Sequence, residues 1–284
     1  MKRIKTPMSD LACERRRADT ETEGVIYSKE DHSFGRIEKI EITSKEGEKE
    51  IGRPIGIYHT LKVGRIGALT PRKMEEISDR IASELAYFCT YLGVVPSVIL
   101  TVGLGNAELT PDAIGPASAR QTEATMYIKR MDKELFTALR CSEIAVLTPD
   151  VTSNSGMEST EIIKGVCERI FPDVVIAIDS LASVSMERLG STIQICSTGI
   201  IPGAASGSKT IQINKETLGI PVIAIGVPTV INTSILINGK RTGTDGLFVS
   251  PKDVGNIVKN ASRIIGEGIN RAFGVSQKEF RMPI

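Results

Sequence analysis

Residues 174–178 read Val-Val-Ile-Ala-Ile and are followed at once by Asp179. A run with no polar position cannot show one face to water, so it suits a strand covered on both sides, with its acid emerging where the strand ends. The same arrangement occurs earlier. A mostly apolar run from Val98 to Val102 breaks at Gly103-Leu104-Gly105-Asn106 and soon delivers Asp112. Strands of this kind need helices on both faces of a parallel sheet, and the surrounding pattern supplies them.

Pro71 opens a stretch in which Met74, Ile77, Ile81, Leu85, Phe88 and Leu92 recur at helical spacing, with Thr70 as N-cap and Gly93 as stop. Downstream the pattern predicts strand 97–102, a helix from about 111, strand 143–147, helix 158–170 and strand 174–178. A short helix over 181–189 and strands 191–195 and 221–226 follow. Residues 228–241 add a β segment with a turn at Asn238-Gly239-Lys240, and Ser250 is placed to cap a closing helix. Between Gly35 and Val63, alternation of apolar and polar residues around Lys45-Glu46-Gly47-Glu48-Lys49 predicts a half-exposed antiparallel hairpin. Residues 1–24 are too charged to pack and read as a solvated, mobile lead-in. The fold class is α/β: a mostly parallel sheet covered by helices on both faces, with an additional small β subregion. A chain of 284 residues needs no second unit to bury a core of that kind.

Charge and composition remove several functions. Net charge is +1 and aromatic residues make up 4% with no Trp, so neither a basic field nor stacking residues favour nucleic acid. No run is long enough to span a bilayer, and Met1–Asp10 lacks the apolar core of a signal peptide, which predicts a cytoplasmic protein without a membrane partner. Cys13, Cys89, Cys141, Cys167 and Cys196 include no Cys-x-x-Cys pair, so neither disulfides nor a zinc site is implied. His32 and His59 lie far in sequence from the strand-end acids and hydroxyls, which weakens any triad. Metal ligation by Asp112, Asp179, Glu158 and Glu161 lacks a nearby His. The stretch Gly103-x-Gly105-x-x-Glu108 lacks the third Gly of a dinucleotide fingerprint, and Gly207-Ser208-Lys209 lacks the spacing of a phosphate loop.

In open parallel sheets ligands bind beyond the carboxyl ends of the strands. Loops rich in Gly, Ser, Thr and Asn reach that rim and supply backbone donors for an extended peptide or an anion. The candidate substrate-binding positions are Gly103, Gly105 and Asn106 after the first run, Gly156 and Glu158 after the next, and Ser197, Thr198 and Gly199 after Thr-Ile-Gln-Ile-Cys. Asp112 and Asp179 fit two roles there. Each suits a helix N-terminus, where a carboxylate caps or meets the dipole. Held close together they cannot both ionise easily, and one then serves as base toward water while the other protonates a carbonyl.

Through "VGLGNAELTPDAIGP", "SGMESTEIIKGV", "PDVVIAIDSLAS", "TIQICSTGIIPG", "LGIPVIAIGVPTV" and "SPKDVGNIVKNASRIIGEGIN" the chain resembles the germination proteases of spore-forming bacteria, which degrade small acid-soluble spore proteins as spores germinate. These motifs run in order through most of residues 98–275, and "SDLACE" and "EDHSFGRI" extend the likeness toward the N-terminus. The resemblance implies an atypical aspartic endopeptidase of the spore core, needing no cofactor, with Asp112 and Asp179 as its essential acids. It also implies a zymogen that cuts itself between Asp10 and Leu11, where an acid precedes an apolar residue and Ala. Residues 1–10 are then a propeptide and 11–284 a single peptidase domain. A fold like that of hydrogenase-maturation peptidases and a homotetramer follow from the same likeness. The segment from Val230 to Ser250 is much shorter than the insertion the family commonly carries there, which bears on assembly, substrate access and zymogen control. Two alternatives stay open: a metal-assisted maturation peptidase on the same fold, and a non-catalytic peptide-binding homologue.

Overall fold

The computed structural model describes residues 9–15, 22–203, 210–232 and 247–275. In chain order they form β1 (Val25–His32), β2 (Gly35–Ile42), α1 (Lys45–Ile51), β3 (Gly56–Lys62), α2 (Pro71–Tyr91), β4 (Val98–Gly103), α3 (Ile114–Ala119), α4 (Met126–Met131) and α5 (Lys133–Leu139). β5 (Glu143–Leu147), α6 (Thr152–Ser155), α7 (Ser159–Ile170), β6 (Val174–Ser183), β7 (Thr192–Cys196), α8 (Lys215–Leu218), β8 (Val222–Asn232), β9 (Phe248–Val249) and α9 (Val254–Ala272) follow. These strands form one nine-stranded sheet in the order β1-β2-β3-β7-β8-β6-β4-β5, with β9 on β8.

The apolar runs β8, β6, β4 and β5 pair in parallel, as their unbroken hydrophobicity requires. The β subregion is continuous with them: β1, β2, β3 and β7 pair antiparallel, and β7 joins β8. β8 is therefore the seam. One of its residues, Gly226, is registered with Asp179 of β6 on one side and with Gln194 of β7 on the other.

Helices cover both faces. On one, Ile77, Ile81, Leu85 and Phe88 of α2 and Ile264, Ile265 and Ile269 of α9 pack with Ile176, Ile178, Ile223 and Ile225 of the sheet. Each such side chain withdrawn from water contributes about 1.5–3 kcal/mol. Thr70 caps α2, accepting from the Lys73 N–H at 3.4 Å, and Gly93 follows its end at φ 68°, both as predicted. On the opposite face Ile163 and Cys167 of α7 meet Leu100, Val102, Val175 and Ala177. Over the antiparallel half that face is closed by α1 and by Ser9–Arg15: Ala12 packs with Ile40, Ile42, Ile51, Tyr58, Cys196 and Ala224. Among the described residues no helix is long and apolar enough to cross a membrane.

Several local expectations are overturned. The stretch around Lys45–Lys49 is helix α1 rather than a hairpin turn: Ser44 accepts from the Gly47 N–H at 3.3 Å, and Glu46 and Glu48 meet the positive end of the helix dipole. The two arms, β2 and β3, still pair antiparallel as expected, with α1 as their connection, and a tight hairpin joins β1 to β2, pairing Val25–His32 with Gly35–Ile42. No helix forms over 181–189. β6 continues to Ser183 because β8 runs beside it as far as Ile231. Ser250 does not cap the closing helix; its hydroxyl donates to the Thr229 carbonyl at 3.0 Å, and the helix starts at Val254 after Asp253. The predicted helix near 111 is broken into a 3-10 turn at Thr110–Asp112 and α3. Within the lead-in, Ser9, Leu11 and Ala12 are buried, because apolar Leu11 and Ala12 have a face of the sheet to cover. The Asn238-Gly239-Lys240 turn and Gly207-Ser208-Lys209 lie outside the described residues.

Candidate active site

Asp179 does not end its strand. It is the first β6 residue beyond the end of β4, whose last residue, Gly103, is registered with Ile178. The crevice is opened by the shorter neighbour, while β8 continues alongside. Asp179 is only 4% exposed, and its Oδ1 accepts from the Ser180 N–H at 2.8 Å.

Asp112 reaches the same crevice from the 3-10 turn. Pro111 suits such a start, having no N–H to lose and a fixed φ. The turn is held from three sides: the Asp112 N–H donates to Leu109 at 2.7 Å, Asp112 Oδ2 accepts from the Asn106 N–H at 2.7 Å, and Thr229 Oγ1 donates to the Pro111 carbonyl at 2.6 Å. Gly115 allows the close approach, since a Cβ there would stand 2.1 Å from the Leu104 carbonyl oxygen and 2.4 Å from that of Ile178. Gly105, at φ +105°, turns the chain over Asp112, whose carbonyl oxygen would lie 2.2 Å from a Cβ at that position.

Both carboxyls line one cavity of about 540 Å³, whose other walls include Leu109, Pro111, Val151, Val230 and Phe248. Burial raises the Asp112 pKa, against the Asn106 hydrogen bond that lowers it. Asp179 is pushed well above the ordinary carboxylate range, first by burial and then by the charge of Asp112, with a smaller push from Asp10 and an opposing Ser180 hydrogen bond. Both acids are therefore pushed toward the protonated form, Asp179 the more strongly.

A second cavity, of about 310 Å³, lies on the other side of Asp179 and Ser180, which line both. Its walls include Asp10, Arg15, Arg53, Tyr58 and Gln194, and Ser9–Arg15 is tied down at its edge. The Asp10 N–H donates to the Ala182 carbonyl at 3.0 Å, and the Ala182 N–H returns a bond to Asp10 Oδ2 at 2.8 Å. Arg53 donates to the Ser9 carbonyl at 2.6 Å and lies 3.4 Å from Asp10 Oδ1. Gln194 Nε2 donates to the Asp10 carbonyl at 3.1 Å, and Gln194 Oε1 accepts from the Ala12 N–H at 2.8 Å. Leu11, between them, is fully buried. Glu14 accepts from the Ser183 hydroxyl at 2.5 Å, the Val184 N–H at 2.9 Å and the Ser185 N–H at 3.0 Å, and also from the Ser9 hydroxyl.

The other candidates are dispersed. Gly105 lines the first cavity, and Thr198 and Gly199 the second. Asn106 spends its N–H on Asp112, and its side chain accepts from Glu108. A Cβ on Gly103 would meet the Gly115 carbonyl oxygen at 2.3 Å, so Gly103 serves the packing of α3. Ser197 Oγ accepts from the Ile57 N–H at 3.0 Å. Gly156 ends α6 and Glu158 precedes α7; neither lines these two cavities. Sequence reasoning missed Arg53, Gln194 and the Ser183–Ser185 donors. Only Gln194 left a signal, as the lone amide in Thr-Ile-Gln-Ile-Cys. Among the described residues no three His, Cys, Asp or Glu side chains converge as a metal-ligand set.

Comparison with known proteins is consistent along the chain. The germination protease family model matches residues 7–242. The germination protease of Caldanaerobacter subterraneus is 33% identical, over 95% of this chain and 96% of its own. That of Clostridium perfringens is 33% identical over 93% and 94%, and that of a Geobacillus species 34% identical over 90% of this chain and 65% of its own. Among solved structures, a nickel-iron hydrogenase maturation protease from Thermococcus kodakarensis aligns with 66% of this chain and 99% of its own, at 18% identity and a TM-score of 0.38.

Proposed function

The chain belongs to the germination protease family, peptidases of spore germination, and from that premise we propose that it is an aspartate-dependent endopeptidase that also processes itself between Asp10 and Leu11. The reading is carried by one observation: a half-buried and a buried carboxyl, both with raised pKa values, line a common cavity, and the more strongly raised, Asp179, also borders the cavity holding Asp10. In this mechanism Asp112, as carboxylate, takes a proton from water while the water oxygen bonds to the scissile carbonyl carbon. Asp179, as neutral acid, hydrogen-bonds the carbonyl oxygen, and the pair returns a proton to the leaving nitrogen as the C–N bond breaks. The Arg53-bearing cavity suits an acid before the cut bond, and the apolar walls beside Asp112 suit hydrophobic substrate residues. Small acid-soluble spore proteins in the spore core are the substrate class this reading takes, with a homotetramer as the working form and no cofactor.

The test is digestion of a small acid-soluble spore protein by purified Asp112→Asn and Asp179→Asn variants. Each is expected to lose about 10²–10⁴-fold in rate, the usual worth of a general acid or base. Parental rates in both variants would overturn the proposal.

A further inference from the structure

We infer that Gln194 is a catalytic residue for self-processing, the hydrogen-bond donor that holds and polarises the carbonyl of the bond cut between residues 10 and 11. This rests on the proposed function, which makes that bond the scissile one.

Gln194 is a primary amide in the middle of β7 and is 5% exposed. Burying such a group is costly unless both its ends are bonded. Here both ends are bonded to the same short segment. Nε2 donates to the Asp10 carbonyl at 3.1 Å and Oε1 accepts from the Ala12 N–H at 2.8 Å, so the amide spans Leu11 as an adjacent strand would. Only this orientation of the amide serves both partners, because the reverse would set donor against donor and acceptor against acceptor.

The sheet register sets Gln194 two strands from Asp179. Gln194 and Asp179 are both registered with Gly226 from opposite sides, and the Leu181 side chain packs over Gly226 between their strands. Asp10, Asp179, Gln194 and Gly226 line one cavity. When water oxygen bonds to the Asp10 carbonyl carbon, the carbonyl oxygen gains negative charge that a preset N–H donor stabilises more than it does the ground state. The amide has no labile proton to give, so proton transfer stays with Asp112 and Asp179, and Gln194 makes and breaks no covalent bond. Its Oε1 keeps the Ala12 side of the segment in place while the Asp10–Leu11 C–N bond breaks.

The experiment follows loss of residues 1–10 from the full chain by mass spectrometry, in wild type, Gln194→Glu and Gln194→Met. Glu keeps the acceptor for Ala12 and, once ionised, loses the donor, so its processing is followed with rising pH; Met conserves volume and loses both at every pH. Both variants are expected to process about 100-fold more slowly, the typical effect of removing one such donor. Hydrogen exchange at the Ala12 amide is expected to stay slow in Gln194→Glu and to quicken in Gln194→Met. Urea midpoints verify folding, and the near-isosteric Glu variant carries the test if Met unfolds. Wild-type processing rates in a folded variant overturn the role of Gln194 alone, provided Asp179→Asn is inactive. A wild-type chain that is not cut between residues 10 and 11 overturns both this inference and the self-processing it rests on.

Discussion

The two halves of the sheet meet at β8 and position their polar groups by opposite means. In the parallel half a carboxyl gains its place where a neighbouring strand stops: β4 ends at Gly103 and leaves Asp179 facing an open crevice. In the antiparallel half the polar group lies mid-strand, where Gln194 is buried and satisfied only because Asp10 and Ala12 lie across it. The first arrangement leaves acids under-solvated, which sets their proton affinity and hence their chemistry. The second fixes the path of a peptide. In the proposed reading the acids lie where a neighbouring strand stops, and the amide that holds the peptide and polarises its carbonyl lies mid-strand.

The largest effect that separates these roles is expected from Asp179→Asn. Activity falls by the 10²–10⁴-fold range given above, yet the folded state gains relative to wild type as pH rises. The sign follows from the raised pKa: native Asp179 keeps its proton above the pH at which the unfolded chain releases it. The Asp179 contribution to wild-type stability is therefore fully present below the unfolded value and is lost as pH rises through the folded one, whereas Asn has no proton to lose. Urea titrations across that window should show the two proteins diverging; parallel curves would break the division of roles.

A smaller change is expected from Arg53→Met, on the recognition side. Arg53 is partly buried, bonds the Ser9 carbonyl and faces Asp10, and a charge-assisted bond of this kind is worth about 1.5–3 kcal/mol. Cleavage of a peptide with an acid before the cut should lose about 10-fold or more in kcat/KM, mostly through KM. A loss confined to kcat would move Arg53 to the chemical side. Smallest is Glu14→Gln. Its amide nitrogen would face one of the N–H donors at Val184 and Ser185, lowering stability by about 1–2 kcal/mol in urea unfolding. An unchanged midpoint would show that the segment is not part of the antiparallel half's core.

The same division explains what was legible in the sequence. Val174–Ile178 and Val98–Val102 are apolar at nearly every position, so the parallel strands, their two covered faces and the acids beyond them could be read locally. Residues 181–183 could not, because their strand conformation depends on β8 running alongside to Ile231. Lys45–Lys49 alternates charge and glycine like a turn, and only the Ser44 cap reveals the helix. Ser9–Arg15 looks polar taken whole, but its Leu11 and Ala12 close a face of the sheet that exists only in the folded chain. Arg53 and Ser183–Ser185 acquire meaning from partners far away in sequence, which no periodicity records.

Carboxyl-detected carbon-13 titration of Asp179 in the intact folded protein, alone and in Asp112→Asn, measures the shared-proton state directly. The account predicts that Asp179 stays protonated well above the ordinary carboxylate range and that Asp112→Asn lowers its pKa by removing the neighbouring charge. An Asp179 that titrates in the ordinary range and does not move in the variant would contradict it.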